Sequence, residues 1–183
     1  MIIGIDPSIN STGVCVYDDE HNINTYFIIP SKVTKKMQLF NNDHVKLLPY
    51  DKQDTKDGNY TLKEQHKFDN LYSICKKIGW ILDTFRPSIV RMEGVSYGSV
   101  GSAALIDLAM LNGMLRLEMG RRDIPFEIVS PTELKKFACA NGQAEKDVMV
   151  DAWKRLDPCI STIKDIKVDD LADSYFLAHY SPL

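Results

Sequence analysis

Long hydrophobic runs are absent from this sequence of 183 residues: nothing approaches the roughly 18 consecutive apolar residues that a bilayer-spanning helix requires. No membrane association is expected. The opening residues, MIIGIDPS, show neither a basic segment nor a small-residue cleavage site, so the expected setting is cytoplasmic and reducing. Cysteine is scarce: Cys15, Cys75, Cys139 and Cys159 lie far apart, with no CxxC pair and no histidine at zinc-ligand spacing. They read as buried or idle thiols. An excess of positive charge is also missing, the formal net charge being -3. That argues against a generic nucleic-acid coat, which is basic, but not against a metal site, whose carboxylates count as negative until cations neutralise them. Internal repeats are lacking too, and the length suits a single domain over 1–183.

What is present is an alternation of strand and helix signals. Ile2 to Asp6 is almost wholly apolar, as in a central strand buried on both faces, and Pro7-Ser8 ends it. Gly13 to Tyr17 and Ile23 to Ile29 complete an antiparallel meander of three strands. From Pro30 to Gly58 the pattern dissolves into Lys, Asp, Asn and Gln, with an apolar cluster only at Val45 to Leu48; it reads as a polar insertion. Loops of this length are uncommon inside compact domains and usually serve a function or move.

Leu62 to Phe85 carries apolar residues at the three-four spacing of an amphipathic helix, closed by Arg86-Pro87. Ser88 to Glu93 is a fourth strand, Ser99 to Met119 a helix rich in alanine, leucine and methionine, and Phe126 to Val129 a fifth strand. Ser130-Pro131-Thr132-Glu133 has the form of a helix start, with Ser130 as N-cap and a glutamate three residues on. Further helices are expected from about Gln143 to Leu156 and from about Val168 to Tyr180. The order predicts an α/β fold: a mixed sheet of five strands flanked by helices.

Four acids stand out against this background. Asp6 and Glu93 each end an apolar strand, where functional groups of α/β folds gather. Asp170 and Asp173 share one face of an otherwise apolar helix, with Asp169 beside them. A desolvated carboxylate costs several kcal/mol unless it is paired, protonated or bound to metal, and neither the first strand nor the last helix holds a lysine or arginine. Taken singly, Asp6 before Pro7 also reads as a turn residue, Glu93 as a surface strand end, and the aspartate pair as a response to the helix dipole. Together they read as oxygen ligands for hard cations.

Four segments resemble the RuvC family of Holliday junction resolvases. GIDPSINSTGV is similar to that family's first-strand motif, RMEGVSYG to the acid ending its fourth strand, GQAEKDVMV to a helix start and DDLADSYFLAH to the closing acidic helix. Outside residues 30–58 the resemblance spans nearly the whole chain. It implies a ribonuclease H-like fold in which Asp6, Glu93, Asp170 and Asp173 bind two magnesium ions, with manganese able to substitute, and are the catalytic residues. The implied reaction is hydrolysis of branched DNA, four-way junctions above all, leaving 5′-phosphate and 3′-hydroxyl ends. Lys135 and Lys146 are implied to meet DNA phosphates. A homodimer is implied because resolving a junction takes two symmetric cuts; Ala103, Ala104, Leu105, Ala109, Met110 and Met114 offer it apolar surface.

The family's base-stacking aromatic, three residues after the strand-four acid, is Ser96 here, with Tyr97 one further on. Ser8 replaces a glycine of the first motif, and the insertion is long, as in a divergent relative of viral or phage type. Three alternatives stay open: a related nuclease acting on forks, flaps or RNA-DNA hybrids, a catalytically idle junction-binding protein, and the phosphate loop of an actin-like ATPase. The last needs a second domain for which 183 residues leave no room.

Overall fold

The computed structural model describes residues 1–38, 44–56, 58–95, 103–157, 160 and 169–181. Its centre is a six-stranded sheet, built from β1 (Ile2–Asp6), β2 (Ser11–Asp18), β3 (Ile23–Pro30), β4 (Val45–Leu47), β5 (Ile89–Glu93) and β6 (Phe126–Val129), in the order β4-β3-β2-β1-β5-β6. β1, β2 and β3 pair antiparallel, whereas β5 lies parallel to β1 and β6 parallel to β5. The expected meander followed by two parallel strands is therefore present.

The sheet has one strand more than the five expected. β4 falls inside the polar stretch and pairs parallel with the outer edge of β3, from Tyr26↔Val45 to Ile28↔Leu47. Three residues with one fully buried side chain, Val45, are too few to show an alternation. The strand exists because the β3 edge supplies the backbone partners that its own sequence does not advertise. A single helical turn, α1 (Lys35–Gln38), precedes it.

Helices α2 (Tyr60–Phe85) and α3 (Ala103–Gly120) cover one face of the sheet. The odd residues of β1, Ile3 and Ile5, are buried there against Leu71, Ile74 and Ile78 of α2 and Leu111 and Leu115 of α3. Each such side chain contributes about 1.5–3 kcal/mol by leaving water. α2 opens on Asn59, whose side chain accepts from the Leu62 amide, and closes at Arg86 in the left-handed conformation. The other face carries α4 (Pro131–Cys139), α5 (Lys146–Leu156) and α6 (Asp169–His179). α4 begins with the expected reciprocal capping box between Ser130 and Glu133. α5 begins at Lys146, three residues later than expected, because Ala144 closes a turn onto Asn141 and Glu145 is still extended. No helix among the described residues is long and apolar enough to cross a membrane.

α6 is buried almost all round, as a helix lying between a sheet and a second helical layer must be. Two glycines set its approach. A Cβ on Gly4 would stand 2.1 Å from the Ser174 carbonyl oxygen, and one on Gly13 would stand 2.1 Å from that of Asp170. Only residues without side chains let the helix lie this close to β1 and β2.

Candidate metal centre

Side chains alternate across a strand, so the even residues of β1 and the odd ones of β5 share the α6 face. Gly4 meets α6 directly, and Arg91 donates to the Ala178 carbonyl at its far end. Asp6 and Glu93, one period further along, point to the same side. Parallel register pairs Ile5 with Met92, so the two acids end neighbouring strands at one level.

Asp6 also pairs with Gly13 across β2, and Gly13 is where the first turn of α6 rests, at Asp170. α6 therefore starts at the carboxyl end of β1 and runs back along it, past Gly4 at Ser174 and Ala178. Asp170 and Asp173, three residues apart, share a side of the helix at that end. Four carboxyls from three segments of the chain thus come to one place.

Negative charge links the four: Asp6 feels Glu93, Asp173 and Asp170, Asp173 feels Glu93 and Asp170, and Glu93 feels Asp170. Burial, followed by repulsion from Glu93, Asp173 and Asp170, holds the Asp6 carboxyl well above the usual range. Hydrogen bonding between the two side chains raises Asp6 further and draws Glu93 down. Burial also raises Glu93, against the pull of that hydrogen bond and of the Lys135 and Lys146 charges. Asp170 is raised by burial while a hydrogen bond with the Ser11 side chain draws it back, and Asp173 is pushed up to about 7, first by burial and then by Glu93. Such a set is held under electrostatic strain that a positive ion would relieve.

The expectation that the acids lack basic partners needs correcting. Strand one and the last helix indeed hold none, but Lys146, the first residue of α5, is bonded to Asp169, and its charge reaches Glu93, Asp170 and Asp173. Lys135 of α4 is half-buried within reach of Glu93. These partners come from other helices and escape any inspection of the acids' own segments. Ser96 and Tyr97 lie outside the described residues.

Three further side chains went unnoticed in the sequence. Ser11 binds Asp170; Asn112 of α3, buried at 3% exposure, donates to the Glu93 carbonyl at 3.4 Å; and Tyr50 reaches the turn after Asp6. Ser11 sits inside the GIDPSINSTGV motif, which could have flagged it. Nothing in sequence marks Asn112 or Tyr50.

Among the described residues, no group of three or more acidic, histidine or cysteine side chains is drawn into a cage that could hold a cation as it stands. The donor set nevertheless fits one: four carboxyls, oxygen donors only, each raised by burial and coupled by repulsion, suit a hard divalent ion.

Comparison with known proteins gives the family and the fold. The family model for "Crossover junction endodeoxyribonuclease RuvC" matches residues 55–178, a stretch that contains Glu93, Asp170 and Asp173 but not Asp6. Relatives of that name include one from Corynebacterium efficiens, 28% identical over 60% of this chain and 48% of the relative, and one from Paenarthrobacter aurescens, 23% identical over 97% and 78%. The first of these matches spans about half the relative's length. Among solved structures, "T. thermophilus RuvC in complex with Holliday junction substrate" superposes with a TM-score of 0.62 at 14% identity, covering 97% of this chain and 89% of that one. The yeast mitochondrial Holliday junction resolvase Ydc2 gives 0.55 at 17% identity, covering 97% and 75%. Since the family model takes in more than half of the sequence, this chain belongs to the RuvC family, that of the crossover junction endodeoxyribonucleases.

Proposed function

We propose that the protein is a structure-selective endonuclease that cuts Holliday junctions or other branched DNA by metal-dependent hydrolysis of a phosphodiester. The observation that carries this reading is the convergence of Asp6, Glu93, Asp170 and Asp173 into one electrostatically coupled cluster. These four would hold two magnesium ions, or manganese in their place. Bound there, the metal would supply Lewis-acid charge for activating water and for stabilising the leaving 3′ oxygen. The chain's own part is to fix the geometry. β1 and β5 hold two carboxyls at one level, and α6 brings the other two against them. Lys135 and Lys146 would bind the phosphates flanking the cut, Lys146 exchanging Asp169 for the substrate. The expected ends are 5′-phosphate and 3′-hydroxyl.

We propose a homodimer, so that two such sites face one junction. Its support is an apolar surface shared by α2 and α3, where Phe68, Tyr72, Ile106 and Met110 are exposed. Phe68 and Tyr72 stack at 5.8 Å, and the approach of Lys67 to Asp107 at 3.9 Å puts the two pairs at the same height along the neighbouring helices. The reaction belongs in the cytoplasm, where the three described free thiols, Cys15, Cys75 and Cys139, would stay reduced.

The deciding experiment incubates the protein with magnesium on matched four-way, Y-shaped, RNA-DNA hybrid and linear duplex substrates. Cleavage of the four-way junction above the others, lost in chelator and in Asp6→Asn and Glu93→Gln, is expected. Preference for the fork or the hybrid would move the protein to another substrate class, and binding without cutting would make it a junction-binding protein.

A further inference from the structure

The turn between Asp6 and Ser11 links two of the site's acids, since Ser11 binds Asp170. Part of this turn closes on itself: the Thr12 hydroxyl donates to the Ser8 carbonyl at 2.6 Å and accepts from the Ser8 amide at 3.2 Å. Its tip, Ile9-Asn10, is held from outside by residues 48–53 and by Ser31. The Tyr50 hydroxyl donates to the Ile9 carbonyl at 2.5 Å, Lys52 donates to the Asn10 side chain at 2.8 Å, and the Ser31 amide donates to the Asn10 carbonyl at 2.9 Å.

Residues 48–53 are themselves anchored on two elements of the core. Leu48 and Tyr50 donate their amides to the Ile28 and Pro30 carbonyls of β3. Asn70 of α2, 3% exposed, accepts from the Gln53 amide at 2.7 Å and donates to the Gln53 carbonyl at 3.1 Å, as a neighbouring strand would. Tyr50 is 5% exposed, its ring within the core that also holds Ile3, Ile5 and Leu71. A rigid ring with one polar atom at its tip thus transmits the position of β3 and α2 to the backbone three residues after Asp6.

We infer that Tyr50 is a positioning residue for the carboxylate site: through the Ile9 carbonyl it sets the turn between Asp6 and Ser11, and hence the placing of Asp6 against Asp170. The polar stretch that contains it is then a brace on the metal centre. This rests on the nuclease reading for its catalytic consequence, though not for its structural one. Misplacement of reacting groups by about 1 Å can cost up to a hundredfold in rate, so loss of one hydroxyl that allows a fraction of this is expected to cost roughly tenfold.

The test is Tyr50→Phe, which keeps the ring, beside Tyr17→Phe, which removes a hydroxyl bonded to Asn22 near the opposite ends of the strands. In the metal-free protein, amide exchange at residues 9–11 should quicken by about tenfold in Tyr50→Phe alone. Calorimetric titration with manganese(II) alone should show weaker binding by several-fold. Turnover on a four-way junction should fall about tenfold with junction affinity within twofold, while the melting temperature drops by only about 2–4 °C. Unchanged exchange and manganese affinity in Tyr50→Phe would overturn the inference, as would a turnover loss matched by Tyr17→Phe. If the wild type cuts no branched DNA, the nuclease reading fails, and exchange and manganese binding still decide the role of Tyr50.

Discussion

Replacing Asp173 with Asn should make the metal-free protein more stable. The Asp173 carboxyl is pushed up to about 7, by burial first and by Glu93 second. Because the folded chain holds this proton more tightly than the unfolded one, the native state carries more protons between about pH 4 and pH 7, and stability falls as pH rises across that window. From an ordinary carboxylate to about 7 is roughly 3 pH units, or about 4 kcal/mol at 1.36 kcal/mol per unit. Solvent reaches the half-buried group, and screening leaves roughly half of this. Asn fills nearly the same volume without the charge. At pH 8 in chelator, Asp173→Asn should therefore exceed the wild type by about 2 kcal/mol, which for a chain of this size raises the melting temperature by about 4–8 °C.

The assay is thermal unfolding in chelator at pH 4, where the two proteins should coincide, and at pH 8, where they should differ most. Magnesium should then stabilise the wild type, by about 2.7 kcal/mol at a hundred times its dissociation constant, and the variant far less, so that the order narrows or reverses. A variant that melts at or below the wild type at pH 8 in chelator, or a gap that does not change with pH, would refute the electrostatic account of the site.

Three further outcomes are expected. Gly13→Ala should cost about 1–3 kcal/mol in urea unfolding and impair cutting, because its methyl group would displace α6 at Asp170; a change within 0.5 kcal/mol would contradict the close approach. Lys135→Ala and Lys146→Ala should each weaken junction binding and lower its log-log salt slope by about 0.9, read by titration at several salt concentrations; unaltered slopes would remove these lysines from the DNA contact. Met110→Glu should shift the mass measured by light scattering at micromolar concentration from dimer to monomer, and a wild type that is already monomeric, free and on DNA, would end the dimer proposal.

Asp6 and Glu93 were conspicuous in the sequence because a strand's apolar run makes the acid at its end stand out, and the three-residue spacing of Asp170 and Asp173 needed only a helix to become a shared face. What brings the pairs together was hidden. Gly4 and Gly13 read locally as weak strand residues, and their use depends on a helix more than 150 residues away in the chain. β4 was illegible for the same reason: its pairing belongs to the β3 edge. Tyr50 is one aromatic in a polar stretch, and Lys146 reads as an ordinary first-turn lysine until Asp169 is seen beside it. Periodicity reports which face of an element is buried, but not what lies against that face.

The docking of α6 on a glycine seam also has a consequence in time. A ribosome delivers Asp6 first and Glu93 next, whereas Asp170 and Asp173 are made only after the residues of every described strand. A chain truncated before residue 169 contains the residues of all six strands but only two of the four carboxyls. The four-carboxyl centre is therefore complete only once α6 has been made and has settled on β1 and β2.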